Sequence, residues 1–162
     1  MKKMSLDAID IRILCAVQQH GKMSKAKLAE WVDLSPTPCW VRLAKLEKAG
    51  FIKGYHAQID LDRMIDLTKV IVTISLKAHS QADFHLFESY IQKVDEIVEC
   101  YATGGGSDYV LKIITHNLKS FQALIEQLLN EEIGIDRYFI YIVTKQVKHS
   151  DPNVTHLMKQ SC

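Results

Sequence analysis

The chain has 162 residues, 48% hydrophobic and 24% charged, a balance that excludes a disordered or fibrous protein and is enough for one sizeable domain or two small ones. No apolar run reaches the roughly 18 residues of a membrane span, and four cysteines with no C-x-x-C pairing argue for buried thiols in a reducing compartment, not for a disulfide scaffold. The formal charge of +1 hides a division: residues 1–54 hold ten basic against five acidic side chains, residues 55–162 ten against fourteen. A basic third joined to an acidic remainder predicts two tasks, the plainer alternative being a solvated basic face with no partner.

The opening MKKMSLDAID carries acids from position 7 and no apolar signal core, which predicts a cytoplasmic chain with no membrane partner. Leu6, Ile9, Ile13 and Val17 follow helical spacing, and His20-Gly21 ends that segment. Ser24 is placed to cap a second helix with Leu28, Ala29 and Val32 on or beside one face. A third helix begins in SPTPCWVRL: Ser35 suits the N-cap, Pro36 the first helical position, and Pro38 still lies in the first turn, where no intrahelical bond is lost. It is predicted to run to Ala49, with Gly50 as a left-handed cap and Cys39, Leu43 and Leu46 turned inward. Residues 50–55 read as a short extended segment, and residues 55–67 as a linker.

From Thr68 the period changes. TKVIVTISL alternates as a strand, residues 81–94 place Phe84, Phe87 (or Leu86), Tyr90, Ile91 and Val94 near helical spacing, and IVECYAT and DYVLKIIT are strands flanking GGGS. FQALIEQLL is helical, and RYFIYIVTKQV is a last strand. The order β-α-β-β-α-β over residues 68–148 predicts a ferredoxin-like unit, an antiparallel sheet with both helices on one face, so that the whole chain is α+β. Residues 149–162 show no period and are predicted to form a loose tail.

Two places carry chemistry. A basic helix–turn–helix sets a second helix into a DNA major groove. Ser24, Ser35, Thr37, Pro38, Val41, Arg42, Lys45 and Lys48 are the candidate DNA-facing residues. Ser35, Thr37 and the helix N-terminal amides would serve phosphates, Arg42 and Lys45 phosphate or a guanine edge, and Val41 with Ala44 thymine methyls, while Trp40 is expected to pack on the second helix. The alternative is a three-helix bundle whose third helix docks on the other domain. The second place is GGGS: three glycines allow close backbone approach and aim N–H groups at a carboxylate, and Asp108 would pair with an ammonium group, as a zwitterionic amino acid requires. A plain hairpin turn with Asp108 as a structural acceptor is the competing account. Histidines 20, 56, 79, 85, 116, 149 and 156 show no metal-ligand spacing, and no nucleophile–base pair stands out, so neither a metal, a catalytic group nor a cofactor is expected.

Residues 6–60, LDAIDIRILCAVQQHGKMSKAKLAEWVDLSPTPCWVRLAKLEKAGFIKGYHAQID, resemble the N-terminal region of the Lrp/AsnC (feast/famine) transcription regulators, above all through Leu34 to Cys39, Arg42, Leu46-Glu47, Gly50 and Gly54-Tyr55. GGGSDYVLKI is similar to the family's glycine-x-x-Asp-Tyr signature, carried by Gly105, Asp108 and Tyr109. The resemblance implies a winged or extended helix-turn-helix that binds double-stranded DNA. It also implies a module that binds a small amino acid, dimerises, and assembles into tetramers or octamers. The effector would lie in a cleft between dimers near Tyr101, Ala102, Gly104, Gly105, Gly106 and Asp108. Where the family often has Gly at the helix-turn-helix turn, this chain has Asp33. Some siroheme decarboxylases look like Lrp/AsnC proteins, and some DNA binders of this kind organise the nucleoid without an effector. The intact LSPTPC run and the basic third helix favour a DNA-binding protein over the enzyme, while binding of an amino acid would separate the effector-responsive regulator from the organiser.

Overall fold

The computed structural model describes residues 5–159, so the first four residues and the end of the expected tail, including Cys162, lie outside the description. The chain divides into two compact units, residues 1–58 with 149–162, and residues 59–148.

The first unit contains α1 (Ala8–His20), α2 (Lys25–Trp31) and α3 (Pro36–Lys48). Asp7 caps α1, its Oδ1 accepting the N–H of Ile9 and Asp10, while Asp10 returns a carboxylate oxygen to the Asp7 N–H. This reciprocal cap satisfies N–H groups that a helix start would otherwise leave unpaired. Ser24 caps α2 through the Lys27 N–H. Ser35 occupies the N-cap position of α3 but makes no side-chain cap bond. The donors an N-cap side chain can reach are the second and third helical N–H groups, and the third residue here is Pro38, which has none.

Both α2 and α3 end on the same device. Asp33, at φ 54°, donates its N–H to the Glu30 carbonyl while Leu34 donates to Ala29; Gly50, at φ 77°, donates to Glu47 while Phe51 donates to Leu46. These paired bonds absorb the last helical carbonyls and require a left-handed residue, which Gly supplies freely and Asp at modest cost. Ile13, Leu28, Val32, Cys39, Leu43 and Leu46 then meet in one buried core. Residues 51–59 form no strand, so the predicted extended segment has no ladder partner and the winged element is a strandless arm.

The expected loose tail is a correction. A sixth helix, α6 (Val154–Lys159), packs on α1. The Gln18 amide donates to the Pro152 carbonyl at 2.8 Å and accepts the Val154 N–H at 3.5 Å, and Asn153 Oδ1 accepts the His156 N–H. Six residues are too few for a helical period to stand out in sequence, and the contacts fixing them come from a side chain more than 130 positions away.

The second unit has a 3₁₀ turn (Leu61–Arg63), then β1 (Thr68–Leu76), α4 (Gln81–Ile91), β2 (Ile97–Ala102), β3 (Tyr109–Thr115), α5 (Leu118–Asn130) and β4 (Ile135–Ile142). The four strands pair antiparallel in the order β2-β3-β1-β4, the ferredoxin-like arrangement predicted. Alternate residues Val70, Val72, Ile74 and Leu76 of β1 are buried with Leu111 and Ile113 of β3 under Phe87 and Ile91 of α4 and Phe121, Leu124 and Leu128 of α5. Of the two alternatives on α4, Phe87 is buried and Leu86 is exposed. β4 begins two residues earlier than predicted and stops at Ile142, although the Val143 N–H still reaches Lys69 O. Cys39 is buried and Cys15 half-buried, but Cys100 is exposed, contrary to the expectation for a thiol within an apolar strand. It lies on β2, an edge strand.

Candidate nucleic-acid interface and ligand turn

The helix–turn–helix leaves one side of α3 open. Thr37, Pro38, Val41, Ala44, Lys45 and Lys48 are exposed, whereas Cys39, Leu43 and Leu46 are buried, as i, i+4, i+7 spacing dictates. Ser24 and Lys27 at the start of α2 are exposed as well. Ser35 is also exposed, and with no cap bond its hydroxyl is not committed to the helix. Trp40 leans toward α2, where Lys25 Nζ lies 4.0 Å from its ring centroid. That cation–π contact is the packing on the second helix expected of Trp40, with a lysine as the partner that the sequence reading did not name. A lysine and a tryptophan fifteen positions apart carry no local signal of meeting.

Arg42 is placed differently from the other members of the predicted set. Its Nη1 lies 2.5 Å from Asp7 Oδ2 and 2.8 Å from Asp10 Oδ1, which folds the guanidinium back on the start of α1. The paired carboxylates raise the Arg42 pKa above its ordinary value, with Asp7 the larger cause. The Asp7 carboxyl is held below the usual range, first by the Asp10 N–H and then by Arg42. Tyr55 donates to Glu47 Oε1 at 3.0 Å, and its partial burial, then that carboxylate, push its pKa up to about 12. This bond ties the arm after α3 to the last turn of that helix.

The turn at residues 103–108 joins β2 to β3. Thr103 closes it twice, its N–H donating to the Asp108 carbonyl at 2.8 Å and its hydroxyl to the Ser107 carbonyl at 2.6 Å. Gly105, at φ 156°, adopts a conformation that favours glycine. Gly104, Gly105 and Gly106 are exposed with open space around each Cα, and among the described residues their N–H groups make no intrachain hydrogen bond. Asp108 Oδ2 accepts the Leu76 N–H at 2.7 Å and lies 3.1 Å from His79 Nε2. The Leu76 N–H, and after it His79, hold the carboxyl below the ordinary range. Asp108 therefore does serve as a structural acceptor in this chain.

The predicted effector residues do not all share one face. Tyr101 lies opposite Val110 on the side of the sheet away from the helices, its hydroxyl donating to Glu99 at 2.8 Å, while Ala102 lies opposite buried Tyr109 on the helix side. Tyr109 donates to Glu88 Oε1 at 2.8 Å, and burial, then that carboxylate, raise its pKa far above normal. His79 is an addition that the sequence reading passed over. Its only signal was a histidine just before the Ser80 cap of α4. Among the described residues no three His, Cys, Asp or Glu side chains gather to hold a metal ion, and no helix is long and apolar enough to cross a membrane.

Comparison with known proteins bears on both places. A family model described as the Lrp/AsnC ligand binding domain matches residues 69–153, and one described as winged helix-turn-helix DNA-binding matches residues 6–53. The chain is 43% identical over 152 residues to the transcriptional regulatory protein DoeX of Halomonas elongata, covering 94% of this chain and 96% of that one. It is 36% identical to the leucine-responsive regulatory protein of Klebsiella pneumoniae, covering 90% and 89%. A crystal structure of a Neisseria meningitidis transcriptional regulator in complex with L-Met superposes with a TM-score of 0.86 at 28% identity, covering 94% and 99%. A reading helix with its outer side open, a ferredoxin-like unit with a glycine turn, and these likenesses over nearly the full length make the chain a member of the Lrp/AsnC family of DNA-binding transcriptional regulators and not an enzyme.

Proposed function

We propose that the protein regulates transcription in the cytoplasm by inserting α3 into the major groove of a palindromic site, and that a small amino acid bound at the 103–108 turn adjusts its affinity or assembly. The observation that carries the reading is the amphipathicity of α3: an inner stripe consumed by the core and an outer stripe of Thr37, Val41, Lys45 and Lys48 left to solvent. Thr37 and Ser35 serve phosphates, Lys45 and Lys48 phosphate or guanine, and Val41 a thymine methyl. Ser24 and Pro38 frame the entry to the groove.

The effector reading rests on the unengaged N–H groups of Gly104 to Gly106 beside the Asp108 carboxylate, a donor set and an acceptor for the two charges of an amino acid. Tyr101 and Ala102 would border the ligand from the two faces of β2. Relatives named leucine-responsive, and a structural neighbour described with L-Met, point to an apolar side chain on that amino acid.

A homodimer is proposed from the sheet face away from the helices. Tyr101, Phe139 and Tyr141 are each more than half exposed there, beside partly exposed Ile71 and Val110. A contiguous aromatic face of this kind is what a second copy covers. The effector cleft would form as dimers assemble into tetramers or octamers.

The test is binding of the full chain to duplexes selected from a random pool, across a salt series. Lys45→Ala and Lys48→Ala are expected to weaken binding and to lower the slope of log K against log salt by about 0.9 for each phosphate contact removed. No preference for any duplex over random DNA at moderate salt would end the proposal. A thermal shift with each amino acid checks the effector, with about 2.7 kcal/mol of stabilisation expected at a hundredfold excess over Kd. No response to any amino acid would leave an effector-independent DNA organiser.

A further inference from the structure

Asp7 and Asp10 divide their four carboxylate oxygens evenly between two tasks. Asp7 Oδ1 and Asp10 Oδ2 close the N-terminal cap of α1, and Asp7 Oδ2 and Asp10 Oδ1 hold Nη1 of Arg42 on α3. One guanidinium nitrogen thus joins the start of the first helix to the middle of the third. Asp10 is the buried member, its side chain 9% exposed, and Arg42 lies at 34%, on the border between the apolar stripe and the open side of α3.

Swinging Arg42 outward to meet DNA would break two charge-assisted bonds and leave the Asp10 carboxylate buried without its cation. Stripping one partner from a buried pair is among the costlier changes a fold can suffer. Held in place, the same bonds leave α3 free to seat on its buried stripe, because Arg42 precedes Leu43 in that stripe and follows Val41 on the open side. The positive N-terminal end of α1 offsets the remaining negative charge of the cluster.

We propose that Arg42 makes no contact with DNA and is a positioning residue: by pairing Asp7 and Asp10 it keeps their carboxylates from standing unpaired against α3, and so lets the buried stripe seat that helix with Val41 and Lys45 pointing outward. The inference rests on the DNA-reading role proposed above. Losing the clamp lowers affinity for every duplex without removing a phosphate contact. A neutral cluster, free of unpaired charge, restores the helix to its seat. Asn preserves both caps, since its side-chain oxygen accepts the same N–H groups.

The experiment compares the full-length wild type, Arg42→Met, and the triple variant Asp7→Asn/Asp10→Asn/Arg42→Met on the duplex that the wild type selects, by fluorescence anisotropy over a salt series. Arg42→Met is expected to weaken binding by about tenfold with the salt slope unchanged, and the triple variant to return within about threefold of wild type at that same slope. A slope lower by about 0.9 for each Arg42 removed, unchanged affinity in Arg42→Met, or a triple variant as weak as the single one overturns the proposal. Far-UV circular dichroism checks folding, and if Arg42→Met does not fold, the triple variant carries the same two outcomes. If the wild type prefers no duplex, the DNA-reading role fails, and the clamp is judged by the thermal midpoint of the helical unit. That midpoint must fall in Arg42→Met and recover in the triple variant, or the clamp fails too.

Discussion

The carboxylate of Asp108 accepts the backbone N–H of Leu76 at 2.7 Å, while the Asp108 N–H donates to the Ile74 carbonyl at 2.9 Å. The β1–β4 register shifts between Ser75 and Leu76, and the N–H of Leu76 finds Asp108 at that irregularity. One residue at the foot of the glycine turn thereby closes the end of the central strand. Asp108→Ala leaves the Leu76 N–H short of a partner and should destabilise the ferredoxin-like unit by about 1–3 kcal/mol. Asp108→Asn should lose less, because its amide oxygen still accepts. Chemical denaturation of the two variants checks this ranking, and equal losses would contradict the assigned bond.

Asp33 holds φ 54° at the turn between α2 and α3. Asp33→Gly should leave the fold as stable or raise its stability by up to about 1 kcal/mol, and Asp33→Val should lower it by about 1–2 kcal/mol, since a β-branched residue resists the left-handed region. Thermal melts decide between this order and its reverse.

Trp31 and Trp40 are the two tryptophans of the chain, and both lie in the helical unit, so fluorescence excited selectively at tryptophan reports on that unit. The Asp7 pKa is lowered in the folded state. A depressed carboxyl adds stability at pH above its ordinary value of 3.8, and that stability drains away as pH falls from there through the lower folded value. The tryptophan-detected denaturation midpoint should hold steady down to about pH 4 and fall below it. Asp7→Asn, which keeps the cap but not the charge, should flatten that acid slope.

Removal of residues 149–162 takes away α6 and both bonds to the Gln18 amide. Val154 and Met158 are half-buried, and they line a groove of about 690 Å³ with Leu6, Leu14, Val17 and Tyr55. The truncated chain should lose about 1–2 kcal/mol in the tryptophan-detected transition of the helical unit. An unchanged midpoint would mean that the tail contributes nothing to that unit.

Local rules account for much of what the sequence made legible. Ser24 before a helix, Pro36 at its first position, Gly50 after its end, and the alternation in TKVIVTISL each depend on residues within a turn or a strand, and each stands in the structure where it was expected. Ser35 stands at the N-cap position as expected, but without the side-chain cap bond that such a residue usually makes. Sequence fell short wherever a side chain had a choice of partners. Arg42 reads as a groove-facing cation by helical position, yet its neighbours Asp7 and Asp10 are 35 and 32 residues away. Tyr101 and Ala102 look like one patch in a string of letters, although pleating sends consecutive side chains to opposite faces.

Taken by itself, the sequence determined the order of elements, the inward stripe of α3, the glycine turn and the family, because periodicity, caps and turn residues act over a few positions and survive being read in one dimension. Only the tertiary structure decided that Arg42 clamps α1, that Asp108 fastens Leu76, and that Val154–Lys159 returns as a helix beside Gln18. Those outcomes are fixed by which charged or polar groups lie within about 3 Å once the chain has folded, and distance in space is not a function of distance along the chain.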